Sequence, residues 1–119
     1  MDGVLNVLKP PGLTSHDVVV YLRRKLHTKK IGHAGTLDPE VDGVLPIGVE
    51  SGTKVLEFML EADKVYQGEI TLGYSTTTED ATGVEIERKP VSTELLNEEV
   101  DEVLKQFVGK IEQVPPMFS

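Results

Sequence analysis

Residues 32–48 read GHAGTLDPEVDGVLPIG, and the fold has to be built around this unusual stretch. The wider segment from Ile31 to Gly52 holds five glycines and two prolines in 22 residues. Glycine and proline interrupt regular elements, so we expect a loop with short strands here. A loop of that length is uncommon inside a single domain, and it more often serves a function than a purely connecting role.

Asp38 stands at the centre of the stretch, in a setting that suits a reactive carboxylate. Pro39 biases Asp38 away from the α region and stiffens its backbone, and the nearby glycines let the chain approach a ligand closely. Such a carboxylate can act as a nucleophile or a base. An Asp-Pro turn without any chemical role is a common alternative, and the residues alone favour it. Metal binding by Asp38 and Asp42 does not match the spacing of a Ca²⁺ loop.

The hydrophobic pattern predicts regular elements on both sides of this stretch. Before it we expect a buried strand over residues 3–8 and a helix over 15–26, which begins at a capping box formed by Thr14 and Asp17. Val18, Leu22 and Leu26 recur at every fourth residue and give this helix one buried stripe. After it we expect a helix over 53–61, strands over 65–73 and 84–86, a helix over 96–107 capped by Ser92 or Thr93, and a strand over 110–114.

The composition is that of one soluble domain: 119 residues, 39% of them hydrophobic, with no cysteine. No apolar run is long enough to span a bilayer and the N-terminus lacks the basic region of a signal peptide, so we expect a cytoplasmic protein. A formal charge of −8 argues against a general nucleic-acid binder. The segment Arg23–Lys30, called the basic segment below, nevertheless holds five cations and no acid. It can bind phosphate, although composition alone favours a solvated helix end.

Four motifs together carry a resemblance to a known family. Residues 32–48 resemble the catalytic signature of the TruB-type tRNA pseudouridine synthases. Three further blocks resemble other motifs of that family in the same order: KPPGLTS at residues 9–15, Lys64-Val65-Tyr66 followed by Leu72-Gly73, and QVPPMFS at residues 113–119. The resemblance implies an α+β fold with a mixed β-sheet flanked by helices. It also implies that residues 1–119 are the N-terminal part of the catalytic domain and that the remainder is absent.

The resemblance further implies a reaction that uses no metal and no cofactor. The family isomerises uridine 55 in the T loop of tRNA, so the expected partner is the T stem-loop, with no membrane and no obligate protein partner. Position for position, Asp38 matches the essential aspartate, which attacks either C6 of uracil or C1′ of ribose. The remaining expected site residues are Tyr66, which stacks on the base, His33, which assists base flipping, Asp80 in a polar loop near the site, and Arg23, Arg24, Lys29 and Lys30 as phosphate contacts.

Two other functions stay open at this point. Guide-RNA-dependent relatives share the core Thr36-Leu37-Asp38-Pro39, although they usually carry a longer N-terminal extension. A non-catalytic module that binds RNA or helps tRNA to fold is the other alternative. The resemblance also implies an arginine partner for Asp38 beyond Ser119, so we expect residues 1–119 alone to be inactive.

Overall fold

The computed structural model describes residues 1–92 and 94–116. Thr93 and residues 117–119 lie outside the described residues, and with them lie one of the two expected helix caps and the end of the last motif. The chain divides into two units, Met1–Tyr66 and Gln67–Ser119. Each unit is described by itself.

The first unit contains most of the regular structure. Its elements are β1 (Gly3–Lys9), α1 (Ser15–Lys25), β2 (Ile31–His33), β3 (Gly43–Val49), a 3₁₀ helix (Glu50–Val55) and the short α2 (Leu56–Met59). Of the expected helix over 53–61, residues 53–55 are the end of the 3₁₀ helix and only 56–59 form an α-helical turn. At Gly52, within the 3₁₀ helix, a Cβ atom would overlap the carbonyl of Gly3, so the close approach of β1 requires glycine there.

The three strands of this unit form an antiparallel sheet in the order β1-β3-β2. The central strand β3 comes from the glycine-rich stretch, where we expected only short strands. Leu45, Ile47 and Val49 alternate along it and are at most 1% exposed, while Pro46 and Gly48 fall on the other face. The period-2 pattern of a strand is thus present, although the intervening proline and glycine conceal it.

Helix α1 covers the buried face of this sheet and forms as the sequence predicts. The amide of Asp17 donates to Thr14 Oγ1, and the amide of Thr14 donates to the Asp17 carboxylate, both at 2.9 Å. This is a complete capping box. Val18 belongs to the buried core, and the expected stripe continues through Leu22 and Leu26, which pack against it.

The second unit holds β4 (Tyr74–Thr76), β5 (Glu85–Arg88) and α3 (Asn97–Lys105). Strands β4 and β5 pair in antiparallel orientation. Helix α3 lies within the range where the sequence predicts a helix. Its N-cap is Leu96, which makes no side-chain hydrogen bond, so the prediction of a Ser92 cap is wrong.

Two expected strands are absent from the described residues, those over 65–73 and 110–114. A strand needs a row of hydrogen bonds to a neighbour. Among the described backbone hydrogen bonds, only the Gly73 carbonyl, which accepts from the Lys89 amide at 2.6 Å, links either stretch to another segment. Their apolar side chains are accordingly exposed, as Val65 (98%) and Ile70 (78%) illustrate. The α+β class itself is confirmed, with antiparallel pairing in both described sheets. In the described part of the chain, no helix has the length and apolar character to cross a membrane.

Candidate active site at the Asp38 loop

Asp38 lies in the loop that joins β2 to β3. Its backbone carbonyl accepts a hydrogen bond from the amide of Val41 at 3.1 Å, which closes a turn with Pro39 in its second position. Asp in the first position and Pro in the second are preferred residues for such a turn. The Asp38 side chain is exposed. Asp38 can therefore be both the first residue of an Asp-Pro turn and a reactive carboxylate, because the stiff turn presents its side chain to solvent.

Leu37, on the N-terminal side of Asp38, is held by its side chain and by its backbone. The side chain packs against the core of the first unit. The backbone amide donates to Ser15 Oγ at 3.0 Å, and the same hydroxyl donates to the Leu37 carbonyl at 3.3 Å. Ser15 is the first residue of α1 and is only 2% exposed. One buried hydroxyl thus ties the start of the helix to the residue before Asp38.

Pro39, on the C-terminal side of Asp38, is held through its carbonyl oxygen. This oxygen accepts hydrogen bonds from the Gly12 amide at 2.7 Å and from Lys9 Nζ at 3.2 Å. Gly12 has a φ of +91°, in the left-handed region that favours glycine. The motif at residues 9–15 therefore surrounds the backbone of the Asp38 turn.

Lys9 is an unusual lysine because its side chain is fully buried. In addition to its bond to Pro39, Nζ donates to the carbonyls of Pro10 at 2.9 Å and Leu13 at 2.7 Å. Three carbonyl acceptors match the three N–H donors of an ammonium group, and buried polar groups need such partners. Lys9 thus joins the end of β1, the turn after it and the Asp38 loop.

His33 ends β2 and begins the loop. Its Nδ1 atom lies 2.9 Å from the carbonyl oxygen of Gly35. Because a carbonyl oxygen can only accept, Nδ1 carries the proton in this contact. In the neutral ring Nε2 is then a hydrogen-bond acceptor, and the ring orientation is fixed by the loop itself.

Tyr66 is 72% exposed in a segment without regular structure. Among the described residues, its hydroxyl makes no hydrogen bond to a protein group. An exposed aromatic ring can stack on a nucleotide base.

Asp80 belongs to the second unit, where its carboxylate organises its own loop. It accepts hydrogen bonds from Thr78 Oγ1 at 2.6 Å, from the Thr82 amide at 2.8 Å and from Thr82 Oγ1 at 2.5 Å. These bonds, Thr78 first, lower the pKa of Asp80 below its ordinary value of 3.8. The structure therefore gives the Asp80 carboxylate a local role in loop conformation.

The basic segment divides into one cation with a structural contact and four exposed ones. Arg23 is half-buried, and its Nη2 donates to the Ile31 carbonyl at 3.3 Å, which ties α1 to β2. The exposed cations are Arg24, Lys25, Lys29 and Lys30. Within residues 1–92 and 94–116, every ion pair joins side chains between positions 85 and 105. The four exposed cations are thus free to meet an anionic partner.

Sequence reasoning missed Ser15 as a contributor to this site. The motif that contains it was visible, but its contact with Leu37 joins residues 22 positions apart and has no local signal. In the part of the chain that the structure describes, no three residues among His, Cys, Asp and Glu form a cluster that could hold a metal ion.

Comparison with known sequences identifies close relatives. The model of the TruB family pseudouridylate synthase N-terminal domain matches residues 23–119. The tRNA pseudouridine synthase B of Lactococcus lactis subsp. lactis is 56% identical over the whole chain, which corresponds to 36% of that relative. The enzyme of the same name from Bacillus pumilus is also 56% identical over the whole chain, which covers 38% of it. The chain thus spans less than two fifths of the length of these relatives.

Solved structures agree with the sequence comparison. A crystal structure of a Cbf5–Nop10–Gar1 complex contains a chain with a TM-score of 0.67 and 33% identity, over 98% of this chain and 30% of the other. An H/ACA ribonucleoprotein bound to a substrate RNA contains one with a TM-score of 0.64 and 33% identity, over 94% of this chain and 29% of the other. The family model covers far more than half of the sequence, including the Asp38 loop, and the chain belongs to the TruB family of pseudouridylate synthases.

Proposed function

We propose that this protein converts uridine 55 in the T loop of tRNA to pseudouridine, with Asp38 as the nucleophile. The observation that carries the proposal is the Asp38 turn, which presents an exposed carboxylate while both flanking residues are hydrogen-bonded to the motif at residues 9–15. Precise placement of a nucleophile is a large part of catalysis. The name of the relatives at 56% identity supports the same substrate class.

The reaction moves a base without changing its composition. The Asp38 carboxylate attacks a carbon of the target nucleotide, either C6 of uracil or C1′ of ribose, and the N-glycosidic bond breaks. The freed ring then rejoins C1′ of the ribose through C5, and the bond to Asp38 breaks, which restores the carboxylate. C5 loses its proton and N1 gains one, so the product is an isomer of uridine. Covalent catalysis of this kind divides one difficult step into two easier ones.

Three other features support a flipped-nucleotide substrate. The exposed ring of Tyr66 is available to stack on the target base, and the oriented ring of His33 can stabilise the displaced nucleotide. The exposed cations of the basic segment can contact backbone phosphates without first breaking an ion pair. We also assign Asp80 to substrate binding, and its hydrogen bonds to Thr78 and Thr82 fix the conformation of its own loop. A tRNA substrate is also consistent with a cytoplasmic protein.

The domain assignment is part of the same proposal. Residues 1–119 form the N-terminal part of a longer catalytic domain, as the description of the matching family model suggests. The guide-RNA-dependent alternative has weaker support, because the chain in the H/ACA ribonucleoprotein structure is 33% identical and the tRNA enzyme of Lactococcus lactis is 56% identical.

The test is pseudouridine formation by the full-length gene product on an unmodified T stem-loop. We expect isomerisation with no added metal, cofactor or guide RNA. A stem-loop with cytidine at the target position is the matched control and should bind without reacting. Activity that appears only with a guide RNA would replace the proposal with the alternative, and binding without isomerisation would favour a non-catalytic module.

A further inference from the structure

We infer that Ser15 is a positioning residue for the nucleophile, acting through the backbone of Leu37. This inference rests on the proposed function of Asp38. Ser15 does not reach the reacting atoms. Its buried hydroxyl fixes the peptide groups on both sides of the Leu37 Cα atom, and the second of these groups leads directly into Asp38.

The hydroxyl of Ser15 is available for this role because the helix does not need it. At the start of α1 the capping bonds come from Thr14 and Asp17, which satisfy each other. The hydroxyl of Ser15 takes no part in the capping box, and its donor and acceptor are both directed to the loop. A buried hydroxyl needs hydrogen-bond partners, and within the described residues Leu37 provides both.

The orientation of the Asp38 side chain depends on this anchor. In the described parts of the chain, the Asp38 carboxylate makes no hydrogen bond, so its direction follows from its backbone. The C-terminal anchor at Pro39 has two donors, Gly12 and Lys9, whereas the backbone anchor at Leu37 depends on one hydroxyl. Loss of that hydroxyl frees the peptide group before Asp38 to rotate while the other side stays fixed.

The expected result of Ser15→Ala is a selective loss of turnover. A displacement of about 1 Å at a reacting group can reduce a rate by about 100-fold, so we expect kcat to fall about 10- to 100-fold. The affinity for the T stem-loop should stay within about twofold, because phosphate and stacking contacts are untouched. Ser15→Thr keeps the hydroxyl and should recover most of the lost kcat.

Val19→Ala is the matched control for stability. Val19 lies on the same helix and is 2% exposed, and its apolar side chain packs in the core without a hydrogen bond to the loop. It should reduce the unfolding temperature at least as much as Ser15→Ala and leave kcat within about twofold of wild type below that temperature. If Ser15 served stability alone, Ser15→Ala and Val19→Ala would both lose kcat in proportion to their loss of stability. That outcome would overturn the inference.

Amide hydrogen exchange of Leu37, measured in the full-length protein, separates this inference from the proposed function. In the wild type the Leu37 amide should exchange slowly, and in Ser15→Ala about tenfold faster or more, relative to amides in β3. Fast exchange in the wild type would refute the anchor even if Ser15→Ala fails to fold. Activity that survives Asp38→Asn would instead refute the proposed nucleophile while the exchange result still decides the anchor.

Discussion

Replacement of the buried Lys9 by Met should destabilise the first unit strongly, because three carbonyl groups lose a donor at once. A hydrogen bond to a charged group contributes about 1.5–3 kcal/mol. The Pro39 carbonyl keeps its bond from Gly12, so the net loss falls on Pro10 and Leu13. These two residues are exposed, so water replaces part of the loss, and Met avoids the cost of burying a charge. We therefore expect a decrease of about 2–3 kcal/mol in the free energy of unfolding.

Urea unfolding monitored by circular dichroism measures this change from the shift of the midpoint and the slope of the transition. Lys25→Met is the matched control, since Lys25 is an exposed lysine on α1 and its loss should change the free energy by less than about 0.5 kcal/mol. If Lys9→Met also stays within about 0.5 kcal/mol of wild type, the three bonds do not stabilise the loop and the reasoning is refuted.

Three further predictions concern Tyr66, the basic segment and Asp80. Tyr66→Phe should bind the T stem-loop nearly as well as wild type and Tyr66→Leu about 1–3 kcal/mol more weakly; equal affinity of all three proteins would make the ring structural. Replacement of the four exposed cations of the basic segment by Gln should reduce the steepness of log affinity plotted against log salt concentration. The expected reduction is about 0.7 for each lost phosphate contact, whereas Lys105→Gln should leave this slope unchanged. Because the folded pKa of Asp80 is lowered, its carboxylate stabilises the loop above pH 3.8, and this contribution disappears as the pH falls through the folded pKa. NMR titration of Asp80 should give a midpoint below 3.8, and a midpoint at or above that value would contradict the hydrogen bonds described.

The elements that sequence reasoning predicted best have local signals. Helix α1 carries both its capping box and its every-fourth-residue stripe within one short segment, and β1 is an apolar run that ends in a turn. Strand β3 is harder to predict because Pro46 and Gly48, which are rare within strands, occupy the face opposite the core. Only Leu45 and Ile47, on the buried face, show the alternation typical of a strand. Alternation over residues 65–73 indicated a strand, yet a strand also depends on a partner that no local pattern specifies.

The site shows the same limit. The motif predicts Asp38 as the nucleophile, and the Asp-Pro pair accounts for its turn. The contacts that hold the turn join Ser15 to Leu37 and Lys9 to Pro39, 22 and 30 positions apart. Such pairings depend on the order of strands in the sheet, so the sequence shows the motifs but not how they meet.

The central claim is that Asp38 is the nucleophile, and Asp38→Asn in the full-length protein tests it most directly. Asparagine keeps the size of the side chain and much of its hydrogen bonding but removes the charge, so the turn and the RNA contacts should persist. The measurement is single-turnover pseudouridine formation on the T stem-loop, with affinity determined in parallel. We predict no detectable pseudouridine and an affinity within about twofold of wild type. Substantial isomerisation by the Asn variant would contradict the claim and assign the chemistry to another group.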